Sequence, residues 1–230
     1  MNPHLRKYMD AGFDSVEGWC DHRLFHIIDK LNDVQGGLRT RAGVLEIGVH
    51  HGKFFILLNQ LTEESDESAA LDLFAEQDLN IDGSGCGNLQ AFERNLSLYD
   101  KHKGKNVRIL SSDSTSLSPS LFASTRFRFI SIDGGHTPEH TLNDLALAAD
   151  WVHPQGVVVV DDILNYHWLG VFEGVIRFLL TTPTLVPFAI GNNKLFLCRL
   201  SYYSRYFHEI SASDLKTKIV SLLGRQLVAL

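Results

Sequence analysis

Cysteine is scarce in this chain of 230 residues, which has three cysteines that lie far apart, Cys20, Cys86 and Cys198. An odd number of widely spaced cysteines argues against a disulfide framework and predicts reduced thiols. Long apolar runs are missing as well, since none approaches the roughly 18 residues that a membrane span needs. The N-terminal stretch MNPHLRKYMDAGFDS has no apolar core of the kind found in a signal peptide. We therefore expect a cytoplasmic protein that does not insert into a membrane.

Basic residues are not in excess, because 21 Lys and Arg stand against 27 Asp and Glu, for a net charge of -6. A nucleic-acid surface would normally be basic, so this balance favours a small or neutral ligand. No linker rich in Pro, Gly or Ser divides the chain, and 230 residues suit one large domain. We predict an N-terminal helical or lid segment at 1–40, a catalytic domain at 41–200 and a C-terminal helix at 201–230. For the amphipathic tail from Ser213, we favour a packed terminal helix over an oligomer contact.

From Val44 onward, short apolar runs alternate with stretches of helical periodicity, the pattern of strands and crossover helices in a parallel sheet. The five strand candidates have polar or acidic residues at or near their ends and cover residues 44–48, 68–74, 107–113, 127–133 and 157–162. Two later apolar runs are joined by Gly-Asn-Asn at 191–193. They predict a tight antiparallel hairpin.

A glycine turn follows the first predicted strand, in the segment VLEIGVHHGKF. Glu46, Gly48 and Gly52 have the spacing E-x-G-x-x-x-G and precede an apolar helix. Glycine at such a turn lets the backbone approach a ligand closely. The spacing differs from the G-x-G-x-x-G of dinucleotide-binding proteins, so a dinucleotide oxidoreductase is disfavoured.

Acidic residues lie at the ends of the next two strands. Asp72 comes about 20 residues after the glycine turn, where a carboxylate can accept both hydroxyls of a ribose. Ser112 and Asp113 end the third strand, and Asp113 could either accept a hydrogen bond from an adenine amino group or merely cap a helix. Ligands of open α/β sheets bind at the carboxyl ends of the strands, so we expect these residues at one site.

The glycine turn and the two acidic strand ends, in this order, resemble the class I S-adenosylmethionine-dependent methyltransferases over roughly residues 40 to 200. The resemblance implies a Rossmann-like α/β fold, with helices on both faces of a seven-stranded sheet of order 3-2-1-4-5-7-6 and an antiparallel terminal hairpin. It implies S-adenosylmethionine as the cofactor. Glu46 and Gly48 would then lie near its amino-acid part, Asp72 on the ribose and Asp113 near the adenine.

The stretch DLNIDGSGCGNL, residues 78–89, is similar to a calcium loop. Oxygen-bearing side chains alternate at Asp78, Asn80 and Asp82, as EF-hand ligands do. The twelfth position is Leu89, where an EF-hand needs a bidentate Glu, and a calcium-binding module is therefore an alternative of another class. In a methyltransferase, the same loop could fold over the ribose edge of the cofactor or reach an adjoining subunit.

A second group of acids ends the fourth and fifth strands, in ISIDGGH and VVVVDD. Asp133 and the pair Asp161 and Asp162 would end neighbouring parallel strands about 5 Å apart. Three like charges side by side are very unfavourable without a cation, and Mg²⁺ or Mn²⁺ suits carboxylate ligands. Successive strand side chains point to opposite faces, so Asp161 and Asp162 can both bind the ion only if the strand is already turning. Alternatively, Asp133 touches the cofactor while Asp162 caps the next helix.

His136 follows Asp133 across a Gly-Gly turn and could take the proton of a hydroxyl made more acidic by the metal. Asp-Gly-Gly-His with the later Asp-Asp resembles the metal-dependent sugar O-methyltransferases, which act on antibiotic sugars and on methylated polysaccharides. In that resemblance, Asp133, Asp161 and Asp162 are metal ligands and His136 is the general base.

The acceptor is expected to be a small molecule or a saccharide. Tyr166, His167 and Trp168 fall just after the acidic pair, and an aromatic face suits a sugar ring. Trp19 belongs either to a lid over the same pocket or to the core. A catechol-type O-methyltransferase stays open, because its substrate also chelates a metal through neighbouring oxygens. We expect no nucleic-acid or membrane partner, and a homo-oligomer is open.

Overall fold

The strands of this protein form one mixed sheet. The structure, a computed structural model, describes residues 1–181 and 184–230. That part of the chain contains the strands β1 (Gly43–Ile47), β2 (Ser68–Asp72), β3 (Val107–Ser111), β4 (Phe127–Ile132), β5 (Val152–Val160), β6 (Leu185–Gly191), β7 (Lys194–Arg199), β8 (Lys218–Leu222) and β9 (Arg225–Ala229). Their order is β3-β2-β1-β4-β5-β7-β6-β9-β8. Strands β1 to β5 are parallel, whereas β7 is antiparallel to both of its neighbours.

Helices cover both faces of the sheet. They are α1 (Pro3–Ala11), α2 (Arg23–Gly37), α3 (Lys53–Asn59), α4 (Leu89–Tyr99), α5 (Pro138–Trp151), α6 (Leu169–Thr181) and α7 (Leu200–Ser211). One hydrophobic core lies between the sheet and α1 to α4 with α7, and the other lies between the sheet and α5 with α6. Adjacent residues of β1 illustrate the alternation, since Val44 belongs to the first core and Leu45 to the second. No helix in the described ranges is both long and apolar enough to span a bilayer.

The C-terminal tail is a strand hairpin, so the predicted helix at 213–230 is wrong. Leu223 and Gly224 join β8 to β9 with φ angles of 49° and 76°, as in the two-residue turns that favour hairpins. The pairing of Ala189 with Val228 adds β9 in parallel to the edge of β6. Backbone groups of β6 thereby gain partners that a terminal helix would not supply. The sheet therefore has nine strands instead of the seven predicted.

The carboxyl ends of β1, β4 and β5 meet at one edge of the sheet. Beyond the strands, the backbone N of Asp133 donates to the carbonyl of Ile47 at 2.8 Å, and that of Asp161 donates to the carbonyl of Ile132 at 2.9 Å. Asp133 and Asp161 thus lie side by side. Asp162 follows with a left-handed backbone, φ 58°, so the chain has begun to turn and its side chain takes a different direction from that of Asp161.

Candidate active site

A cavity lies at the carboxyl ends of β1, β2 and β3. Four of the residues predicted for the cofactor line it, namely Gly48, Asp72, Ser112 and Asp113. The Asp72 carboxylate accepts hydrogen bonds from the backbone N of His50 and of Phe74, each at 2.7 Å. The Asp113 carboxylate accepts one from the backbone N of Thr115 at 2.8 Å and so caps a short 3₁₀ turn. Each carboxylate keeps acceptor capacity for a ligand, because it offers about four lone-pair sites.

The two glycines of the E-x-G-x-x-x-G turn have different roles. Gly48 has φ +84°, and a Cβ there would lie 1.8 Å from the carbonyl oxygen of Asp133. Gly52 begins α3 with φ +89°, and a Cβ there would lie 2.6 Å from the ring of Phe92. Gly52 is not among the residues that line the cavity. The spacing therefore reflects close packing of a strand end and a helix start, and only Gly48 also borders the ligand space.

Glu46 lies under the site, where it is buried on β1 beside Ser131 of β4. It lines neither of the two cavities at the strand ends. Burial, and then the charge of Asp133, raises the pKa of Glu46 well above its usual value. Its Oε2 atom has no hydrogen-bond partner among the described residues. A buried oxygen without a partner would be stabilised by a hydrogen bond from a donor group of a ligand.

A second, larger cavity of about 760 Å³ adjoins the first. It is lined by acids and aromatic rings, among them Trp19, Asp133, His136, Asp161, Asp162 and Trp168. Three residues line both cavities: His50, Ser84 and Gly85. Groups bound in the two spaces can therefore face one another. Of the predicted aromatic residues, Tyr166 and His167 are exposed and do not line the cavity.

Asp133, His136 and Asp162 form a compact group in the larger cavity. Each offers one ligand atom, and these atoms all lie within 4.8 Å of one another. Burial, followed by the charge of Asp161, raises the pKa of Asp133 to about 8. An additional cation would favour the charged form of such a buried carboxylate. Two carboxylates and an imidazole are suitable ligands for a divalent ion.

Asp161 has a different partner, and the structure does not bring it into this group. Its carboxylate forms an ion pair with Lys194, which is buried at the start of β7. Burial alone would lower the pKa of Lys194, but attraction to Asp161 and Asp133 outweighs it and raises the pKa. The Lys194 ammonium also lies 4.5 Å from the centroid of the Phe54 ring. The predicted trio of metal ligands is thus reduced to Asp133 and Asp162, because consecutive residues at the end of β5 point to different neighbours.

The imidazole of His136 lies between two carboxylates. Its Nδ1 is 2.8 Å from Asp82 Oδ2, and its Nε2 is 3.1 Å from Asp162 Oδ2. Trp168 stacks on the ring, with centroids 4.3 Å apart. Burial alone would lower the pKa of His136, but the hydrogen bonds with Asp162 and Asp82 raise it to about 8. The ring is therefore fixed in orientation, with Nε2 directed at the acidic group.

The loop that resembles a calcium site supplies Asp82 to this arrangement. It is preceded by β2 and a 3₁₀ turn and followed by α4, so it is not the loop of a helix–loop–helix EF-hand. The Asn80 amide donates to the carbonyls of Ser84 and Gly85 at 2.8 and 3.1 Å. Burial would raise the pKa of Asp82, but hydrogen bonds from Ser84 and His136 lower it to about 2. The loop is therefore not an EF-hand, and the side-chain oxygens of Asn80 and Asp82 bond to the protein itself.

The predicted site residues did not include His50, His140 or Lys194, which line the two cavities. Asp82 and Ser84 belong to the loop that was expected over the ribose edge of the cofactor, and both line the smaller cavity. The sequence offered either an ion site or a place at the ribose edge for residues 78–82, and neither interpretation predicted the contact of Asp82 with His136. The predicted hairpin was a signal, because a final strand that returns beside β5 must begin next to the end of β5. The place of Lys194 beside Asp161 could have been predicted from the order of the strands.

Glu17, His50 and His51 also have ligand atoms within 4.8 Å of one another. The two imidazole centroids are 3.9 Å apart and the ring planes differ by 19°. The lone pair of an imidazole nitrogen lies in the plane of its ring, so stacked rings cannot direct two lone pairs at one ion. Their geometry disfavours a metal site.

Comparison with known proteins gives the family. Residues 45–163, more than half of the chain, match the family described as "Methyltransferase domain". The chain therefore belongs to this methyltransferase family, which confirms the class I methyltransferase that the sequence indicated. No curated protein matches the chain.

Solved structures show the same fold. The O-methyltransferase NovP is 17% identical, with a TM-score of 0.61 over 76% of this chain and 78% of that chain. The O-methyltransferase TomG from Streptomyces achromogenes, in complex with SAM, is 16% identical, with a TM-score of 0.54 over 86% of this chain and 88% of that chain. CalS11, a TDP-rhamnose 3'-O-methyltransferase, is 14% identical, with a TM-score of 0.51 over 85% of this chain and 91% of that chain.

Proposed function

We propose that this protein transfers the methyl group of S-adenosylmethionine to a hydroxyl of a sugar or glycoside, with a divalent cation and with His136 as the general base. The observation that carries the proposal is the position of His136 in the larger cavity, between Asp82 and Asp162. O-methyl transfer is also the activity named for NovP, TomG and CalS11, and the name of CalS11 includes a sugar.

The smaller cavity fits the cofactor in the chemistry of its wall. Asp72 and Asp113 offer acceptors to ribose hydroxyls and to an adenine amino group. Glu46, with an unpartnered buried oxygen, lies under the adjoining strand end, where the ammonium of the methionine part would supply a donor. The cofactor would thus extend from Asp113 past Asp72 towards Glu46.

The larger cavity fits a cation as well as an acceptor. Asp133 and Asp162 would hold Mg²⁺ or Mn²⁺, because carboxylate oxygens are preferred ligands of these hard ions. When bound, the ion would supply positive charge that makes an acceptor hydroxyl more acidic and disfavours the charged form of His136. Trp168 and Trp19 offer aromatic faces on which a sugar ring can pack.

The reaction then needs one proton acceptor and one displacement. The acceptor oxygen attacks the methyl carbon of the sulfonium, so that an O–C bond forms as the C–S bond breaks and S-adenosylhomocysteine leaves. The proton of the hydroxyl passes to Nε2 of neutral His136, because Nε2 faces the acidic group whereas Nδ1–H is directed at Asp82. Proton transfer to a positioned base contributes roughly 10²–10⁴-fold to a rate.

Methyl transfer from labelled S-adenosylmethionine to panels of sugars, glycosides and catechols tests the proposal. We expect transfer to a sugar hydroxyl that is lost with a chelator and restored by Mg²⁺ or Mn²⁺. His136→Gln should lower kcat by roughly 10²-fold or more, and Asp133→Asn should abolish metal binding along with activity. The matched controls His208→Gln and Asp150→Asn alter exposed residues outside both cavities and should retain full activity.

A catechol acceptor is the alternative outcome of the same panel. A phenolic hydroxyl is already acidic, so His136→Gln should then have a smaller effect on kcat. Binding of S-adenosylmethionine without transfer to either class, or transfer that is indifferent to chelators, would refute the metal-assisted sugar chemistry.

A further inference from the structure

The loop between β2 and α4 contacts His136 directly. Asp82 Oδ2 accepts hydrogen bonds from the backbone N and from Nδ1 of His136, both at 2.8 Å. Ser84 Oγ donates to Asp82 Oδ1 at 2.6 Å and lies 3.1 Å from His136 Nδ1. The side chain of Asp82 is only 12% exposed. We refer to the two hydrogen bonds between Asp82 and His136 as the latch.

The same loop forms one wall of the cofactor cavity. Its residues in this wall include Asn80, Ile81, Asp82, Ser84 and Gly85. The backbone at Gly87 is so close to Asp72 that a Cβ there would lie 2.3 Å from Asp72 Oδ1. With the loop in this position the cavity measures about 110 Å³, against about 760 Å³ for the acceptor cavity. Asp82 belongs to this wall, so an outward movement of the loop that widens the cavity for a nucleoside would carry Asp82 with it.

Internal hydrogen bonds make the loop a unit that can move as a whole. The Asn80 amide donates to Gln77 Oε1 at 2.9 Å and to the carbonyl of Ser84 at 2.8 Å. Gly83 and Gly85 have positive φ angles of 65° and 57°, which glycine adopts without strain. Displacement of this unit would break the latch and leave its internal bonds intact.

We propose that Asp82 is a positioning residue for His136 and that the latch couples closure of the loop over the cofactor to the orientation of the general base. This inference rests on the proposed function, since it gives His136 its proton-accepting role. The latch holds Nδ1–H on Asp82 and so leaves Nε2 as the nitrogen that faces Asp162 and the acceptor cavity. By reciprocity, cofactor that favours the closed loop strengthens the latch, and loss of the latch weakens cofactor binding.

The test uses S-adenosylhomocysteine, which binds without reacting. In protein labelled with ¹⁵N-histidine, long-range ¹H–¹⁵N spectra report the protonation of each ring nitrogen, and His136→Gln assigns the His136 signals. With S-adenosylhomocysteine bound, we expect a slowly exchanging Nδ1–H proton on His136 in the wild type. In Asp82→Ala this proton should exchange rapidly, while the signals of the other histidines stay unchanged and show that the fold is intact.

Calorimetry gives the second readout. Affinity for S-adenosylhomocysteine should fall roughly tenfold in Asp82→Ala, as expected for hydrogen bonds to a charged group. Asp82→Asn keeps one acceptor oxygen, so its affinity for S-adenosylhomocysteine should lie between those of the wild type and Asp82→Ala. The same variant tests the latch if Asp82→Ala does not fold. Asp78→Ala removes an exposed carboxylate of the same loop and should change neither readout. In turnover, Asp82→Ala should lower kcat more than it raises the KM of the acceptor.

The two proposals fail separately. If the wild type shows the protected proton and binds S-adenosylhomocysteine but transfers no methyl group, the latch stands and the proposed function is wrong. If the wild type is active but Asp82→Ala matches Asp78→Ala in proton exchange, affinity and kcat, the latch is refuted and the proposed function stands.

Discussion

The buried ion pair between Lys194 and Asp161 should be a major contributor to stability. Their side chains are 3% and 12% exposed. Lys194→Met keeps the length and apolar stem of the side chain and removes its charge, which leaves Asp161 beside Asp133 without its cation. Loss of one partner of a buried pair costs roughly 3–5 kcal/mol. For a chain of this size, that free energy corresponds to a fall in Tm of roughly 6–20 °C.

A double-mutant cycle with Asp161→Asn separates the pair from other effects of substitution. Each single variant leaves an unpaired buried charge, whereas the double variant leaves none. The free energy of unfolding of Lys194→Met/Asp161→Asn should therefore exceed the value expected from adding the two single losses. Denaturant unfolding followed by circular dichroism measures all four proteins, and Lys216→Met serves as the control because Lys216 is exposed. If the losses add to within about 0.5 kcal/mol, the two charges are not coupled and the ion pair is refuted.

Three further predictions concern other parts of the fold. Asp144 is buried, and burial raises its pKa to about 6. Ionisation of this buried acid costs stability. The free energy of unfolding of Asp144→Asn should therefore exceed that of the wild type by an amount that grows from about pH 4 to about pH 6, where it reaches about 3 kcal/mol. The exposed Asp150→Asn should show no such rise. Gly48→Ala should cost about 3 kcal/mol or more in unfolding free energy, whereas Gly83→Ala, which meets no atom within 4 Å, should cost about 1 kcal/mol. Deletion of 213–230 should expose the edge of β6 and increase aggregation in light scattering.

Most of the parallel part of the sheet could be predicted because β1, β2, β4 and β5 contain apolar runs that are buried on both faces. In β4 all six residues are buried, and in β5 the last five are buried. A strand with two buried faces is apolar throughout and contrasts with the amphipathic helices on either side. The start of α5 is determined just as locally, since Thr137 caps the first turn at the backbone N of His140 and Pro138 begins the helix.

The C-terminal hairpin could not be predicted in this way. Its outer strand β8 has no fully buried residue, and apolar residues spaced over KIVSLLGRQLVAL satisfy a helical stripe as well as two short strands. What decides the outcome is the edge of β6, a distant segment with backbone groups that need partners. Local periodicity carries no information about that edge, so the helix was the natural error.

The carboxylates of the site look equivalent in the sequence, and their partners make them different. Because β7 is antiparallel to β5 and Val160 pairs with Leu195, Lys194 must lie beside Asp161 and neutralise it. Asp162, one residue later on a turning backbone, is left to face His136. The motif Asp-Asp therefore combines a structural acid with an acid of the site, and only the register of the returning strand tells them apart. With Lys194 placed at this strand end by the register, the predicted metal ligands are reduced to Asp133 and Asp162.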